Sequence, residues 1–399
     1  MRLRYLVSSI VMASLVAAAC APSSTGGGPA VAATYDVQVD NKSSAFNFQA
    51  TAYFPDSLKV HPGDTIRFKP VDRGEPHTVT FGTMVDAAVA SLAKRPAPAP
   101  NAPPPPETPE LAKLPALIGD PPALPVPQSA AQPCFLSTGA PPSDVKTPCS
   151  KDQMTQKDFD GTQSFYNSGW LVPDQTFSLK LADTIKPGTY SFICLLHRDT
   201  MTGQVTVVDK GQAADTLDAL KGKSDKQLTD LVAKLKGSVD ASSKATADRA
   251  QAGVLTQDAQ NVQAPLFAPK EISIPVGGSV AWTILGPHTI TFNAPQDAVG
   301  VLIKAADGTV SLNGKALGPT GGPGQPPPPT GAAAAAPPPP GPIIIDAGKW
   351  DGKGFHNSGL FVSFPPVIFG YKLTFTQAGT YPFRCVIHPD MEGTVKVGQ

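Results

Sequence analysis

Hydrophobic and polar residues alternate over five to eight positions in many short segments of the chain. These segments are rich in Val, Ile, Thr, Tyr and Phe, and glycine or proline bounds most of them. An alternation of this kind places one face of a strand against a core and the other face in solvent. The pattern therefore predicts an all-β protein whose half-buried strands form antiparallel sandwiches.

The predicted strands belong to a unit that occurs twice in the sequence. GDTIRF at 63–68 corresponds to GGSVAW at 277–282, PHTVTF at 76–81 to PHTITF at 287–292, FYNSG at 165–169 to FHNSG at 355–359, and PGTYSFIC at 187–194 to AGTYPFRC at 378–385. A repeat of this kind indicates two copies of one arrangement of strands. We therefore expect one β domain over 34–208 and a second over 263–399.

The stretch between the two copies, 209–262, has a different pattern. Ser224 and Gln227 match a capping box, and Gly237 stands where a helix commonly ends. Leucines recur between these points at helical spacing, at Leu228, Leu231 and Leu235. The pattern predicts a helical linker whose apolar stripe packs on one of the β domains.

Each copy is interrupted after its first histidine-bearing strand. Proline and alanine dominate 96–148 in the first copy, and glycine and proline dominate 318–342 in the second. Proline cannot donate a hydrogen bond to a sheet, so these insertions are predicted to be loops or polyproline excursions. Their matching position indicates that the fold tolerates insertion at this point.

The N-terminus has the features of an export signal. Arg2 and Arg4 precede an apolar run over 5–19 that is too short to span a bilayer comfortably. Small residues then lead to Cys20, which resembles a bacterial lipoprotein signal in which the cysteine is lipidated. We expect a signal peptide over 1–19, a flexible tether over 20–33 and a membrane-anchored lipoprotein of the bacterial cell envelope. The alternative is ordinary cleavage after the three alanines, which would leave a periplasmic or secreted protein.

Two of the five cysteines, Cys134 and Cys149, lie in or beside the first insertion. Disulfides are common in exported proteins, so these two are predicted to pair. In the chain-entropy model, closing a loop of this size stabilises a fold by about 3 kcal/mol.

The remaining two cysteines each begin a cluster of metal-ligating residues. Each cysteine is followed by a histidine at the third position and a methionine shortly after, and each copy carries one further histidine upstream. Two imidazoles, one thiolate and a weak thioether are the ligand set of a blue-copper site. The candidate metal ligands are His77, Cys194, His197 and Met201 in the first copy, and His288, Cys385, His388 and Met391 in the second.

These motifs resemble the cupredoxin family, the group that includes plastocyanin, pseudoazurin and amicyanin. The resemblance covers most of both copies apart from the insertions, and it includes GTY-x-F-x-C-x-x-H followed by M-x-G-x-V. The family implies Greek-key β-sandwiches, one type 1 copper per domain, hence two per chain, and electron transfer outside the cytoplasm. Its pattern also makes Thr78 and Thr289, which follow the upstream histidines, candidates for anchoring the ligand loop. An ordinary strand position is the alternative for both threonines.

The two copies differ in one spacing. Three residues separate His197 from Met201, whereas two separate His388 from Met391. The longer loop leaves the axial distance and the redox potential of the first site open, and a difference in potential between the two sites would give electron flow a direction. The repeated NSG motif, with Asn167 in the first copy and Asn357 in the second, is predicted to form a turn.

The amino-acid composition argues against two further classes of function, nucleic-acid binding and catalysis. Lys+Arg and Asp+Glu balance at 32 each, so no basic surplus exists to bind nucleic acid. Copper oxidases need further histidines, commonly as His-x-His pairs, and here only His61 and His356 remain as packing or solvated residues. Enzymatic activity is therefore not expected. We expect electron transfer with unidentified redox partner proteins, and the alternative is copper delivery or storage.

Overall fold

The computed structural model describes residues 32–71, 74–96, 105–118, 126–137, 139, 142, 148–246, 249–256, 261–326 and 341–398. The described residues from Ala33 onward form one compact unit. The predicted signal peptide over 1–19, the predicted lipidation site Cys20, nearly all of the predicted tether and parts of both insertions lie outside the described residues. Within the described ranges, no helix combines the length and the apolar character needed to cross a membrane.

Two sheets, whose strands precede the long helix in the sequence, make the first sandwich. One has the strand order β3-β1-β5-β9, and the other has the order β4-β11-β10-β6-β8-β7. The strands are β1 (Thr34–Val39), β2 (Gln49–Ala50), β3 (Tyr53–Phe54), β4 (Ser57–Val60), β5 (Thr65–Pro70), β6 (Thr80–Phe81), β7 (Cys134–Leu136), β8 (Phe165–Asn167), β9 (Phe177–Lys180), β10 (Gly188–Ile193) and β11 (Thr202–Val207). Every second residue of β1 is buried, as the alternation predicts. Phe68, Phe81 and Phe192 are fully buried and pack ring to ring between the two sheets.

The sheets after the long helix make a second sandwich. The order β12-β15-β23 parallels β1-β5-β9, and β14-β25-β24-β17-β21 parallels β4-β11-β10-β6-β8. The strands are β12 (Ala250–Leu255), β13 (Val262–Ala268), β14 (Glu271–Ile274), β15 (Ser279–Ile284), β16 (Gly286–His288), β17 (Thr291–Phe292), β18 (Leu302–Lys304), β19 (Val310–Leu312), β20 (Ile343–Trp350), β21 (His356–Asn357), β22 (Phe361–Ser363), β23 (Phe369–Phe375), β24 (Gly379–Arg384) and β25 (Glu392–Val397). The predicted all-β fold class is confirmed, since the sheets fit two successive sandwiches with a helix between them. The domain boundaries given above remain predictions.

The helices are few. They are α1 (Thr83–Leu92), α2 (Gln128–Ala131), α3 (Leu217–Ser242) and α4 (Gly314–Leu317), with 3₁₀ turns at Leu111–Lys113, Arg198–Thr200 and Gln296–Ala298.

The long helix α3 extends beyond its predicted ends. It begins after Thr216, whose hydroxyl accepts the backbone N–H of Ala219 at 3.1 Å, and it continues through Gly237 to its end at Ser242. The predicted cap residue Gln227 instead lies inside the helix and donates to the Tyr53 carbonyl. An interior glycine costs a helix only about 1 kcal/mol, which packing of a buried face can offset.

One face of α3 supplies that packing. Leu231 and Leu235 are buried in a cluster with Phe48 from the first half and Val262 from the second. The same cluster surrounds β2, which pairs with β13 and so adds a strand from the first half to a sheet of the second. The helix therefore packs where the two halves share a sheet, as the apolar stripe predicts.

The described parts of the first insertion differ from the predicted loop. Leu111 and Leu117 are fully buried, and Cys134 forms the predicted disulfide with Cys149. The Gln128 side chain exchanges two hydrogen bonds with the backbone of Val310 in the second half, at 2.8 and 3.0 Å. The insertion thus contributes to the core and to the contact between the halves, which its composition did not indicate.

Truncation of a buried residue of α3 tests this packing. We expect Leu235→Ala to lower the free energy of unfolding by about 2–5 kcal/mol, because it leaves a cavity at a fully buried site. Leu217→Ala, at the exposed start of the same helix, is the matched control. Equal stabilities of the two variants in denaturant titrations would contradict the described packing.

Candidate metal centre

The first cluster is built by three separate segments. His77 lies in a short bridge to Leu171, just before β6, and Cys194 directly follows β10. His197 lies three residues further on, before the 3₁₀ turn Arg198–Thr200. The ligating atoms of His77, Cys194 and His197 all lie within 4.8 Å of one another. Fold contacts thus bring together residues that are more than a hundred positions apart.

The second cluster has the same construction. His288 ends β16, and Cys385 directly follows β24. Their ligating atoms and that of His388 also lie within 4.8 Å of one another, and all three residues are buried.

Both loops close with the same hydrogen bond. The Cys194 N–H donates to the Met201 carbonyl at 3.0 Å, and the Cys385 N–H donates to the Met391 carbonyl at 3.0 Å. Both methionine side chains are fully buried in the core that holds their cysteine. The extra residue of the first loop is therefore accommodated in the 3₁₀ turn without changing how the loop closes.

The first insertion fastens that longer loop. The Leu117 N–H donates to the Leu195 carbonyl at 3.0 Å, and the Arg198 guanidinium donates to the Leu111 carbonyl at 2.6 Å. Arg198 also forms an ion pair with Glu107. The insertion thereby holds the segment between two of the candidate ligands.

The residues present fit a copper ion. Both ring nitrogens of buried His77 lack a hydrogen-bond partner. The Nδ1 atoms of His288 and His388 face each other at 3.0 Å, so the two rings aim at a common point. Buried polar atoms are seldom left unpaired, and a metal ion would satisfy those that point into the cluster. The donor set of two imidazoles, a thiolate and a nearby thioether is that of a type 1 site.

Charge within the clusters favours thiolates. Burial opposes ionisation of both cysteines, but the adjacent histidines outweigh it and hold the pKa of Cys194 and of Cys385 well below the usual range. Burial disfavours the imidazolium of His197, yet the Cys194 thiolate raises its pKa to about 10. The corresponding pKa of His388 is raised to about 9 by Cys385. A thiolate is the form of cysteine that binds a metal, and metal uptake would release the imidazole protons.

Thr78 and Thr289 anchor the cysteine loops. The Thr78 N–H points at Cys194 Sγ at 3.4 Å, and its hydroxyl accepts the amide N–H that follows the cysteine at 2.8 Å. Thr289 makes the same two bonds in the second cluster, at 3.4 Å to Cys385 Sγ and 2.9 Å to the next amide. These contacts agree with the interpretation of Thr78 and Thr289 as anchors of the ligand loops. They do not agree with the alternative, in which both threonines are ordinary strand residues.

Asn167 and Asn357 do more than form a turn. Each lies at the end of a strand, fully buried, and the following glycines, Gly169 and Gly359, adopt the positive φ of the turn. The side-chain amide of Asn167 donates to three carbonyls at the end of α2, and that of Asn357 donates to three around α4. The asparagines thus tie the short helices α2 and α4 to the sheets.

His61 and His356 lie outside both clusters. His61 Nε2 is 2.8 Å from the Gln212 carbonyl, and buried His356 is 2.8 Å from the Tyr371 hydroxyl. Both make the packing and surface contacts that the sequence predicts.

The two clusters differ in one buried carboxylate. Asp40 is fully buried, and its Oδ2 lies 4.0 Å from His77 Nε2 without a hydrogen-bond partner. Strand register places Gly253 at the matching position near His288, and both residues have positive φ, 65° and 83°. A Cβ at Gly253 would lie 2.1 Å from His288 Nε2, so no side chain fits there. Burial raises the pKa of Asp40 to about 6 against the influence of His77.

A second carboxylate, Glu75, lies between the clusters and was not predicted. Its Oε2 is 3.0 Å from His197 Nε2, and its Oε1 is 3.2 Å from His388 Nε2. Burial disfavours the charged form, but these two histidines hold the pKa of Glu75 well below its usual range. The repeat carried one indication of it, since the residue before PHT is Glu75 in the first copy and Gly286 in the second.

A cleft of about 270 Å³ runs beside Glu75. Its lining comes from both halves and includes Glu75, His77, Trp170, Arg384 and His388. One candidate ligand histidine of each cluster, His77 and His388, therefore lines this cleft, whereas neither candidate ligand cysteine does.

Comparison with known proteins gives structural similarities only. No family model matches the chain, and no curated protein matches it. Auracyanin A from Chloroflexus aurantiacus, described as a "blue" copper protein, is 15% identical and overlaps 44% of this chain and 98% of its own, with a TM-score of 0.21. Pseudoazurin from Hyphomicrobium denitrificans is 16% identical over 48% of this chain and 97% of its own, with a TM-score of 0.19. TM-scores this low do not establish a common fold, so the fold assignment is based on the strands and sheets described above.

The threonine anchor gives a direct test of the second loop. Thr289→Val removes the acceptor of a buried amide, so we expect the metal-free protein to lose about 1–3 kcal/mol of unfolding free energy. Thr289→Ser keeps the hydroxyl and is the control. If denaturant titrations show the same loss for both variants, the hydroxyl does not hold the loop.

Proposed function

We propose that the chain is an exported electron-transfer protein that binds one type 1 copper in each sandwich. The observation that carries this proposal is the pair of buried His–Cys–His groups, each with its three ligating atoms within 4.8 Å and a buried methionine on the same loop. The resemblance of the motifs to cupredoxins supports it. Copper would be held by His77, Cys194, His197 and Met201 in the first sandwich and by His288, Cys385, His388 and Met391 in the second. The bound copper would supply one-electron redox chemistry.

Burial of the ligands favours electron transfer over copper delivery. Among the six histidine and cysteine ligands His197 is the most exposed, with 13% of its side chain accessible, and the other five are buried. Threonine anchors and loop-closing hydrogen bonds fix the positions of the cysteines. A rigid, enclosed ligand set changes little between oxidation states, whereas delivery requires ligands that a partner can reach. The proposal includes no enzymatic activity, since His61 and His356 are the histidines left over and neither lies near a cluster.

Location and partners complete the proposal. The N-terminal sequence supports export, with lipidation at Cys20 as a membrane anchor and cleavage without lipid as the alternative. Exchange of electrons requires redox partner proteins in the same compartment.

The two sites are proposed to differ in potential. Ionised Asp40 places a negative charge beside His77, and Gly253 leaves no counterpart beside His288. A nearby negative charge stabilises the more positive, oxidised metal, so the first site should have the lower potential. Electrons would then collect at the second site.

Copper titration tests the function. We expect two Cu(II) per chain and intense blue absorption, with Cys194→Ser and Cys385→Ser each removing one copper and the corresponding part of the absorption. A colourless protein, or copper that a chelator removes at once from both sites, would contradict electron transfer and favour delivery.

Substitution of the buried carboxylate tests the order of potentials. At pH 8, where Asp40 is ionised, we expect Asp40→Asn to raise the potential of the first site by tens of millivolts. The second site of the same chain is the internal control. Identical potentials for the first site before and after the substitution would remove the proposed role of Asp40.

A further inference from the structure

Glu75 makes a hydrogen bond to one candidate ligand of each metal site. His197 belongs to the first cluster and His388 to the second, and each points its Nε2 at a different oxygen of the same carboxylate, at 3.0 and 3.2 Å. The Glu75 side chain is only 7% exposed. A single buried side chain therefore joins the two clusters.

The same contact sets the direction of both imidazole rings. With Nε2 engaged by Glu75, Nδ1 of His197 lies 3.5 Å from Cys194 Sγ, and Nδ1 of His388 lies 3.5 Å from Cys385 Sγ. A carboxylate on the outer nitrogen of a metal-binding histidine fixes its tautomer and raises its basicity. Here one carboxylate does this for two histidines at once.

The surrounding structure is shaped for this arrangement. Gln263 of the second half donates to Glu75 Oε1 at 3.2 Å. Gly74 has φ 89°, and a Cβ there would lie 1.8 Å from the Ile387 carbonyl, so the loop that carries Glu75 packs directly on the second ligand loop. At the position matching Glu75, Gly286 has φ 104°, a backbone conformation that residues with side chains rarely adopt, so the second half carries no counterpart of this carboxylate.

We propose that Glu75 is a positioning residue shared by both metal sites and that it makes them one coupled pair. This inference rests on the proposed function and adds to it a fixed link between the two ligand sets. The link consists of two hydrogen bonds and one carboxylate between the imidazoles. With copper held by the two ligand sets, the link would offer a route for one electron between the sites, with no bond formed or broken and no proton released.

The test measures each site separately. In the full chain, Cys385→Ser leaves only the first site and Cys194→Ser only the second, and Glu75→Ala is added to each. Loss of an outer carboxylate typically costs about 10–100-fold in metal affinity, so we expect a Cu(II) affinity loss of that size at both sites. Glu271→Gln, which alters an exposed carboxylate paired with Lys396, is the control and should leave both affinities unchanged. A loss confined to the first site, or no loss at either, would overturn the proposal.

A second measurement needs no metal. In the metal-free chain with isotope-labelled histidine, the Nε2–H protons of His197 and His388 should be hydrogen-bonded and protected from exchange with water. Glu75→Ala should remove protection from both, whereas Glu75→Gln offers one acceptor oxygen and should retain protection of one. Protection that survives Glu75→Ala at either histidine would refute the shared role.

The two experiments separate failure of this inference from failure of the proposed function. If the wild-type chain binds no copper, the proposed function and the electron route both fall, and the histidine protons still decide whether Glu75 is shared. If copper binds at both sites with unchanged affinity in Glu75→Ala, only the coupling fails.

Discussion

The arrangement of the two candidate copper sites depends on one buried carboxylate. Burial of a charge is costly unless it is paired, and Glu75 is paired on both oxygens by histidines from different halves of the chain. Separation of the halves would remove two of the three hydrogen-bond partners of that charge, His388 and Gln263. The contacts of Gly74 with the second ligand loop and of Gln263 with Glu75 act in the same direction.

Each sandwich positions its own set of candidate ligands. Strands β10 and β24 lead directly into the cysteines, the threonines after the upstream histidines hold the ligand loops, and the asparagines tie the short helices α2 and α4 to the sheets. Because these bonds recur in both halves, the clusters have nearly the same internal geometry. Their differences lie outside the ligands, at Asp40 beside the first site and at the longer loop that the first insertion fastens.

The alternating strands, the ligand motifs and the disulfide could be predicted from the sequence. The alternation of residues depends on which face of a strand is buried, and that local property is written directly into the chain. The ligand motifs are also local, except for the upstream histidines, which the repeat located. The disulfide followed from the cysteine count.

Other features of the structure depend on contacts between residues far apart in the sequence, so local patterns did not predict them. Glu75 contacts His388 from more than three hundred positions away, so no local pattern could indicate it. The start of α3 was mispredicted because Thr216, and not Ser224, caps it, and its end was mispredicted because packing against the shared sheet offsets the cost of Gly237. The first insertion appeared to be a loop because its high proline content dominates the sequence pattern, although Leu111 and Leu117 are buried. The asparagines appeared to form only turns because their carbonyl partners lie more than thirty positions earlier in the chain.

In the proposed arrangement, two copper centres would lie on opposite sides of Glu75. Electron paramagnetic resonance of the fully oxidised, copper-loaded chain detects whether the two metals are this close. We expect two type 1 Cu(II) signals with a resolved dipolar coupling between them, which disappears when either Cys194 or Cys385 is replaced by serine. Two Cu(II) signals without any dipolar coupling in the wild-type chain would contradict this arrangement.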